Sequence, residues 1–156
     1  MAAKTKLLRI GSTLNIKQIN LLTDYYYNIL AMLMTHDSLV RFDPDLRVVP
    51  QLAQSWECLE GGKLWKFRLV PDARWHDGYP VSATDIKFTF KYLALHNPSA
   101  GWIADLIEDV QANDREVVFR LKKPNSRFLI NAGFIVRILP EHIWGEIDSP
   151  QKTNNS

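Results

Sequence analysis

Hydrophobic and polar positions along the chain alternate in two distinct rhythms. Between residues 7 and 14, Leu8 and Ile10 share one side of a short extended stretch, which predicts an opening strand. From Leu21 to Met34 the spacing of Leu22, Tyr25, Tyr26, Ile29, Leu30 and Leu33 follows a helical period, predicting an amphipathic helix that begins near Thr23 or Asp24 and ends near His36. A turn is expected at Phe42-Asp43-Pro44-Asp45, because a residue before proline is biased away from helix. Strand periodicity then takes over. Ala53 to Cys58 places Trp56 and Cys58 on one face, and Lys63 to Leu69 sets Trp65, Phe67 and Leu69 against Lys66 and Arg68. Gly61-Gly62 between them supplies the positive φ angles of a hairpin.

Residues 70 to 81 read as an ordered loop marked by Pro71-Asp72 and His76-Asp77-Gly78. Ser82-Ala83-Thr84-Asp85 has the form of a capping box, with Asp85 reaching back to Ser82, so a helix is predicted from there to about Leu95, closed by Asn97-Pro98. Asn113-Asp114 joins a second hairpin, whose later strand sets Val117, Phe119 and Leu121 against Val118 and Arg120. A short helix over 128–132, a strand over 135–139 and a helical turn from Pro140 follow. The polar residues 148–156 are expected to be a disordered tail.

Composition narrows the function classes. The chain has 156 residues, 46% hydrophobic, with 19 Lys+Arg spread among 17 Asp+Glu. It has neither the clustered basic charge of a nucleic-acid binder nor an apolar run approaching the roughly 18 residues of a membrane span. Met1 to Lys6 is basic, but no long apolar segment or cleavage site follows, so no secretory signal is expected in this stretch. The single cysteine, Cys58, reads as a small buried hydrophobe. His36, His76, His96 and His142 lie too far apart to suggest a metal cage, and no phosphate loop or nucleophile elbow occurs, so neither a metal, a cofactor nor an enzyme is expected.

Three features invite a binding role. Consecutive helical positions point about 100° apart, so at least one ring of Tyr25, Tyr26 and Tyr27 should reach the surface. Trp102 follows the loop-like Pro98-Ser99-Ala100-Gly101, where core packing explains an indole less readily. Arg137 interrupts the apolar run 134–139, and on a strand it would share a face with Ile135 and Leu139. A cation so placed needs either a protein carboxylate or an anionic ligand.

Three motifs point to a family. Pro50-Gln51-Leu52-Ala53-Gln54-Ser55-Trp56, then Trp65-Lys66-Phe67-Arg68-Leu69, then Trp75-His76-Asp77-Gly78-Tyr79-Pro80-Val81-Ser82-Ala83-Thr84-Asp85-Ile86 resemble, in order, P-x-L-A-x-S-W, W-x-F-x-L-R and F-H-D-G-x-P-x-T-A-x-D-V. These patterns belong to the family 5 extracellular solute-binding proteins, the peptide- and nickel-binding components of ABC importers. Val70, Trp75, Ser82 and Ile86 are mild departures, while Asp37-Ser38-Leu39-Val40 and Ile138-Leu139-Pro140-Glu141-His142-Ile143-Trp144 resemble flanking motifs, so the likeness runs from about residue 7 to 145.

The resemblance implies a mixed α/β (α+β) chain, the N-terminal portion of a two-lobed periplasmic-binding-protein-like fold with a hairpin-rich sheet and flanking helices. On that reading residues 1–34 start the ligand-binding lobe, 35–135 form a small mixed domain, 136–147 return toward the lobe, and the second lobe lies beyond Ser156. It also implies binding of oligopeptides or nickel chelates, a membrane permease as partner, no nucleic acid, and a periplasmic or otherwise extracytoplasmic, membrane-associated location. Trp102 and Arg137 match ligand-lining positions of nickel-binding relatives, and Tyr25 to Tyr27 match loosely. The rival expectation is the ligand-sensing domain of a cytoplasmic transcription regulator, since some regulators resemble this family.

Overall fold

In a computed structural model, residues 32–96 and 98–147 are described. The opening strand, Tyr25 to Tyr27 and the tail from residue 148 lie outside them. Of the first helix only the end is described, and it is helical over residues 32–35.

Two antiparallel hairpins build the main sheet. Strand β3 (Ala53–Leu59) pairs with β4 (Leu64–Leu69), and β5 (Ile107–Asn113) pairs with β6 (Glu116–Leu121). The hairpins join side by side through β4 and β6, giving the order β3-β4-β6-β5, with Trp65 opposite Phe119 and Phe67 opposite Val117. Every inward residue predicted on the two central strands is buried: Trp65, Phe67 and Leu69, and Val117, Phe119 and Leu121. Burial of one face is what holds this register, because a slip by one residue would turn Lys66 and Arg68 into the core.

The glycine pair works as expected. Gly61 and Gly62 have φ of 62° and 99°, and the Gly62 carbonyl accepts from both Trp65 Nε1 and Asn125 N. The turn at residues 42–45 lies within a small additional hairpin, β1 (Val40–Phe42) with β2 (Val48–Pro50). Asp43 Oδ1 caps it by accepting from Asp45 N and Arg47 N.

Helix α1 (Ala83–His96) starts at the predicted capping box. Ser82 Oγ accepts from Asp85 N at 3.3 Å and Asp85 Oδ2 accepts from Ser82 N at 2.8 Å, so each residue satisfies an amide that the helix end would leave unpaired. Its buried stripe, including Ile86, Phe90 and Leu93, covers the sheet, and Phe90 meets Phe119 edge-on at 4.8 Å. The loop before α1 is tied down at Gly78, where φ is 90°. There His142 Nε2 lies 2.7 Å from Asp77 Oδ2 and holds that carboxyl below its ordinary range, while Tyr79 stacks on the imidazole at 4.4 Å.

Three expectations are corrected. Cys58 is exposed: although it sits opposite buried Trp65, β3 is an edge strand with no neighbour beyond it, among the described residues, to cover an inward side chain. Pro98 ends α1 but also opens helix α2 (Pro98–Asp105), so Trp102 stands on a helix and not on a loop. Proline lacks only an N–H that a first helical position leaves unpaired anyway. Finally, residues 135–139 form no strand. The predicted short helix continues as a wide helical segment from Leu129 through Ile135, and the amides of Ile138 and Leu139 are taken singly, by Asp37 O at 2.9 Å and by Thr89 Oγ1 at 2.9 Å. Helix α3 (Glu141–Trp144) follows.

Candidate functional site

Arg137 is positioned by its neighbours in the chain. Val136, Ile138 and Leu139 are all buried, and the two tethered amides on its C-terminal side fix the backbone, so the half-buried guanidinium leaves the core in one direction. It is received by two elements. Nη1 donates to Ser38 Oγ at 3.0 Å, and the guanidinium carbon lies 5.5 Å from the centre of the Phe134 ring, within range of a cation–π attraction. Phe134 is itself braced edge-on by Phe42 at 4.7 Å. The close approach of these segments depends on Gly133, where a Cβ would come within 3.2 Å of Val40 Cγ2.

Ser38 belongs to a polar cluster on the strap between the end of the first helix and β1. Its backbone N–H donates to Gln51 Oε1 at 3.3 Å, and Gln51 Nε2 donates to the carboxylate of Asp37. Beside it, burial pushes the His36 imidazole down to a pKa of about 4, helped by the neighbouring His76 and the Arg137 guanidinium and opposed by Asp37. His36 is therefore neutral at physiological pH, and the cluster's fixed cation is Arg137. A cavity of about 230 Å³ opens alongside, between Thr35–Asp37 and the loop carrying Arg74 and His76.

The depressed pKa of His36 has a signed consequence. Between pH 6.5 and 4 the unfolded chain binds a proton that the folded one refuses, so stability falls as the pH is lowered through that window. Roughly 3 kcal/mol is expected to be lost between pH 7 and pH 4. Unfolding curves at pH 7 and pH 4 should show a smaller loss in His36→Gln than in the wild type. Equal losses in the two proteins would contradict the assignment.

Of the other candidates only Trp102 lies among the described residues, and it is not part of this cluster. Trp102 is 47% exposed on α2, which packs against α1, and the indole makes no hydrogen bond or ring contact among the described residues. Sequence reading singled out Arg137 but not Ser38, Gln51, His36 or Phe134. In the sequence, residues 37–40 and 50–56 stand out only as motifs, and nothing in them shows that Ser38 meets a side chain 99 positions away. Among the described residues no group of three or more His, Cys, Asp or Glu side chains could hold a metal ion, and no helix is long and apolar enough to cross a membrane.

Comparison with known proteins places this arrangement. The profile of the bacterial extracellular solute-binding proteins, family 5 (middle), matches residues 47–156. The oligopeptide-binding protein AppA of Bacillus subtilis is 30% identical over 117 residues, which cover 73% of this chain and 22% of AppA. Its solved structure, in complex with a nonapeptide, superimposes with a TM-score of 0.72 at 27% identity, covering 82% of this chain and 26% of that one. The structure of NikZ from Campylobacter jejuni in complex with Ni(L-His) superimposes at 0.66 with 29% identity, covering 76% and 24%. The chain thus spans about a quarter of the length of the proteins it matches, and its mixed sheet-and-helix architecture is a part of their periplasmic-binding-protein fold. With the profile match running over most of the chain and the same architecture in solved members, this protein belongs to the family 5 bacterial extracellular solute-binding proteins.

Proposed function

We propose that the chain supplies one wall of the ligand cleft in the substrate-binding subunit of an ABC importer, and that Arg137 meets a carboxylate of the ligand. The observation that carries this reading is the guanidinium itself, half-buried and aimed by Ser38 and Phe134 instead of lying loose on the surface. A planar cation held in this way suits a carboxylate through paired, charge-assisted hydrogen bonds. Two ligand classes present one: an oligopeptide at its C-terminus and an amino-acid chelate of nickel. They are the classes named for AppA and NikZ. Trp102, with its exposed indole, and Tyr25 to Tyr27 are the apolar contacts of this proposal. The protein works outside the cytoplasm and delivers its ligand to a membrane permease. The family consists of binding proteins, so no chemistry on the ligand is invoked.

Calorimetry on the full-length protein tests the reading with two probes, a tripeptide and nickel(II) with L-histidine, each beside its carboxamide counterpart. Arg137→Ala should weaken the carboxylate probe that the wild type binds by about 10- to 100-fold, as expected for losing a charged hydrogen-bonding partner. The carboxamide probe should change little, and the melting temperature should hold. Binding of neither probe by the wild type, or a fall in melting temperature with affinity intact, would overturn it.

A further inference from the structure

Counting protons fixes the direction of the hydrogen bond between Ser38 and Arg137. Ser38 is fully buried at 0% exposure, and its Oγ has three polar neighbours: Val40 O at 2.7 Å, Gln51 Oε1 at 3.0 Å and Arg137 Nη1 at 3.0 Å. A hydroxyl has one proton and two lone pairs. Val40 O and Gln51 Oε1 can only accept, so they claim the proton between them, and the side of the oxygen that faces Arg137 must be a lone pair.

Gln51 cannot turn round to change this. Its Nε2 is held by the Asp37 carboxylate, which leaves Oε1 pointing at both the Ser38 hydroxyl and the Ser38 N–H. Each donor in the series Gln51, Ser38, Arg137 thus has its acceptor chosen for it, and hydrogen bonds in such a chain polarise one another. The backbone reinforces the side chains. Asp37 O accepts from Ile138 N at 2.9 Å, and Ser38 O accepts from Leu52 N at 3.2 Å, so the three segments that carry the relay are pinned to one another.

We propose that Ser38 is the positioning residue for Arg137, with Gln51, oriented by Asp37, setting the Ser38 hydroxyl as an acceptor. The role rests on the reading that Arg137 meets a ligand carboxylate. Ser38 need not touch the ligand. It acts by holding the guanidinium plane where two N–H groups can meet both carboxylate oxygens.

A double-mutant cycle on the full-length protein separates this role from a merely structural one, using the same two probes and their carboxamides. Ser38→Ala should weaken the carboxylate probe by roughly tenfold in the wild-type background and less than about twofold in Arg137→Ala, because the hydroxyl acts only through the arginine. Affinity for the carboxamide should stay within about twofold. The proposal is overturned if Ser38→Ala has no effect on the carboxylate probe, if its effect is equal in both backgrounds, or if the carboxamide weakens as much. Because Ser38 is buried, Gln51→Met provides a second arm: it removes Gln51 Oε1, one of the hydroxyl's two acceptors, with little change in volume, and the same three criteria apply to it. If Arg137→Ala leaves carboxylate binding unchanged, the ligand-contact reading fails, and the positioning role fails with it. If Arg137→Ala weakens binding while Ser38→Ala and Gln51→Met do not, only the positioning role fails.

Discussion

Replacing Asp85 by alanine should lower the unfolding free energy by about 3 kcal/mol, as expected when a buried carboxylate that satisfies several donors is removed. Asp85 is 4% exposed and accepts from three parts of the chain. Oδ2 takes Ser82 N at 2.8 Å, the Ser82 hydroxyl at 2.9 Å and, at 3.4 Å, Trp75 Nε1, while Oδ1 takes Glu141 N at 2.9 Å. Truncation strands an amide at the start of α1 and another at the start of α3, and it frees the loop before α1. The substitution Asp85→Asn would be only a partial remedy, because one acceptor becomes an NH2 group facing an N–H whichever way the amide is turned. Urea unfolding should therefore rank wild type above Asp85→Asn and Asp85→Ala last. A loss below about 1 kcal/mol in the alanine variant would show that water replaces the carboxylate, contrary to its burial.

The second large effect is expected at Phe119. Its ring is fully buried and meets three others, Phe67 at 5.8 Å, Phe90 at 4.8 Å and Phe128 at 5.2 Å. These come from β4, from α1 and from the turn before the wide helical segment, so the ring is where sheet, helix and covering loop meet. Phe119→Ala should cost about 3–5 kcal/mol through lost burial and the cavity left behind. Phe119→Leu should recover most of that, with the remainder reflecting lost edge-to-face contact. The two variants compared by denaturant midpoint give the check: equal losses would mean that the site collapses around either side chain and is less tightly packed than these ring distances require.

Both expectations draw on parts of the fold that the sequence displays unequally. The alternation around Phe67 and Phe119 is visible in the chain because one buried sheet face imposes a period of two. The same signal cannot say that β4 lies beside β6, since pairing between two hairpins leaves no local mark. The Ser82–Asp85 box is legible because capping involves residues three apart, whereas the bond from Asp85 to Glu141 N spans 56 positions. Local composition also misled twice. The small residues and glycine ahead of Trp102 resemble a loop, yet a proline is equally at home on a first helical turn. The apolar run around Arg137 has strand character without a ladder, because its amides go to Asp37 O and Thr89 Oγ1. At the candidate site, a cation amid apolar residues announced the need for a partner. That the Ser38 hydroxyl, beside Gln51 and Asp37, receives the guanidinium follows only from the folded chain.

The edge position of β3 gives the protein a practical handle. Cys58 is the sole thiol in these 156 residues, and it stands exposed on a strand whose neighbour β4 is anchored in the core. A maleimide dye or spin label placed there would be attached at one defined point, without first removing other cysteines from this part of the protein. Because β3 begins two residues after Gln51 and Cys58 stands toward its other end, a label there would be set off from the Arg137 cluster along the same strand and would follow any displacement of this sheet when ligand is added.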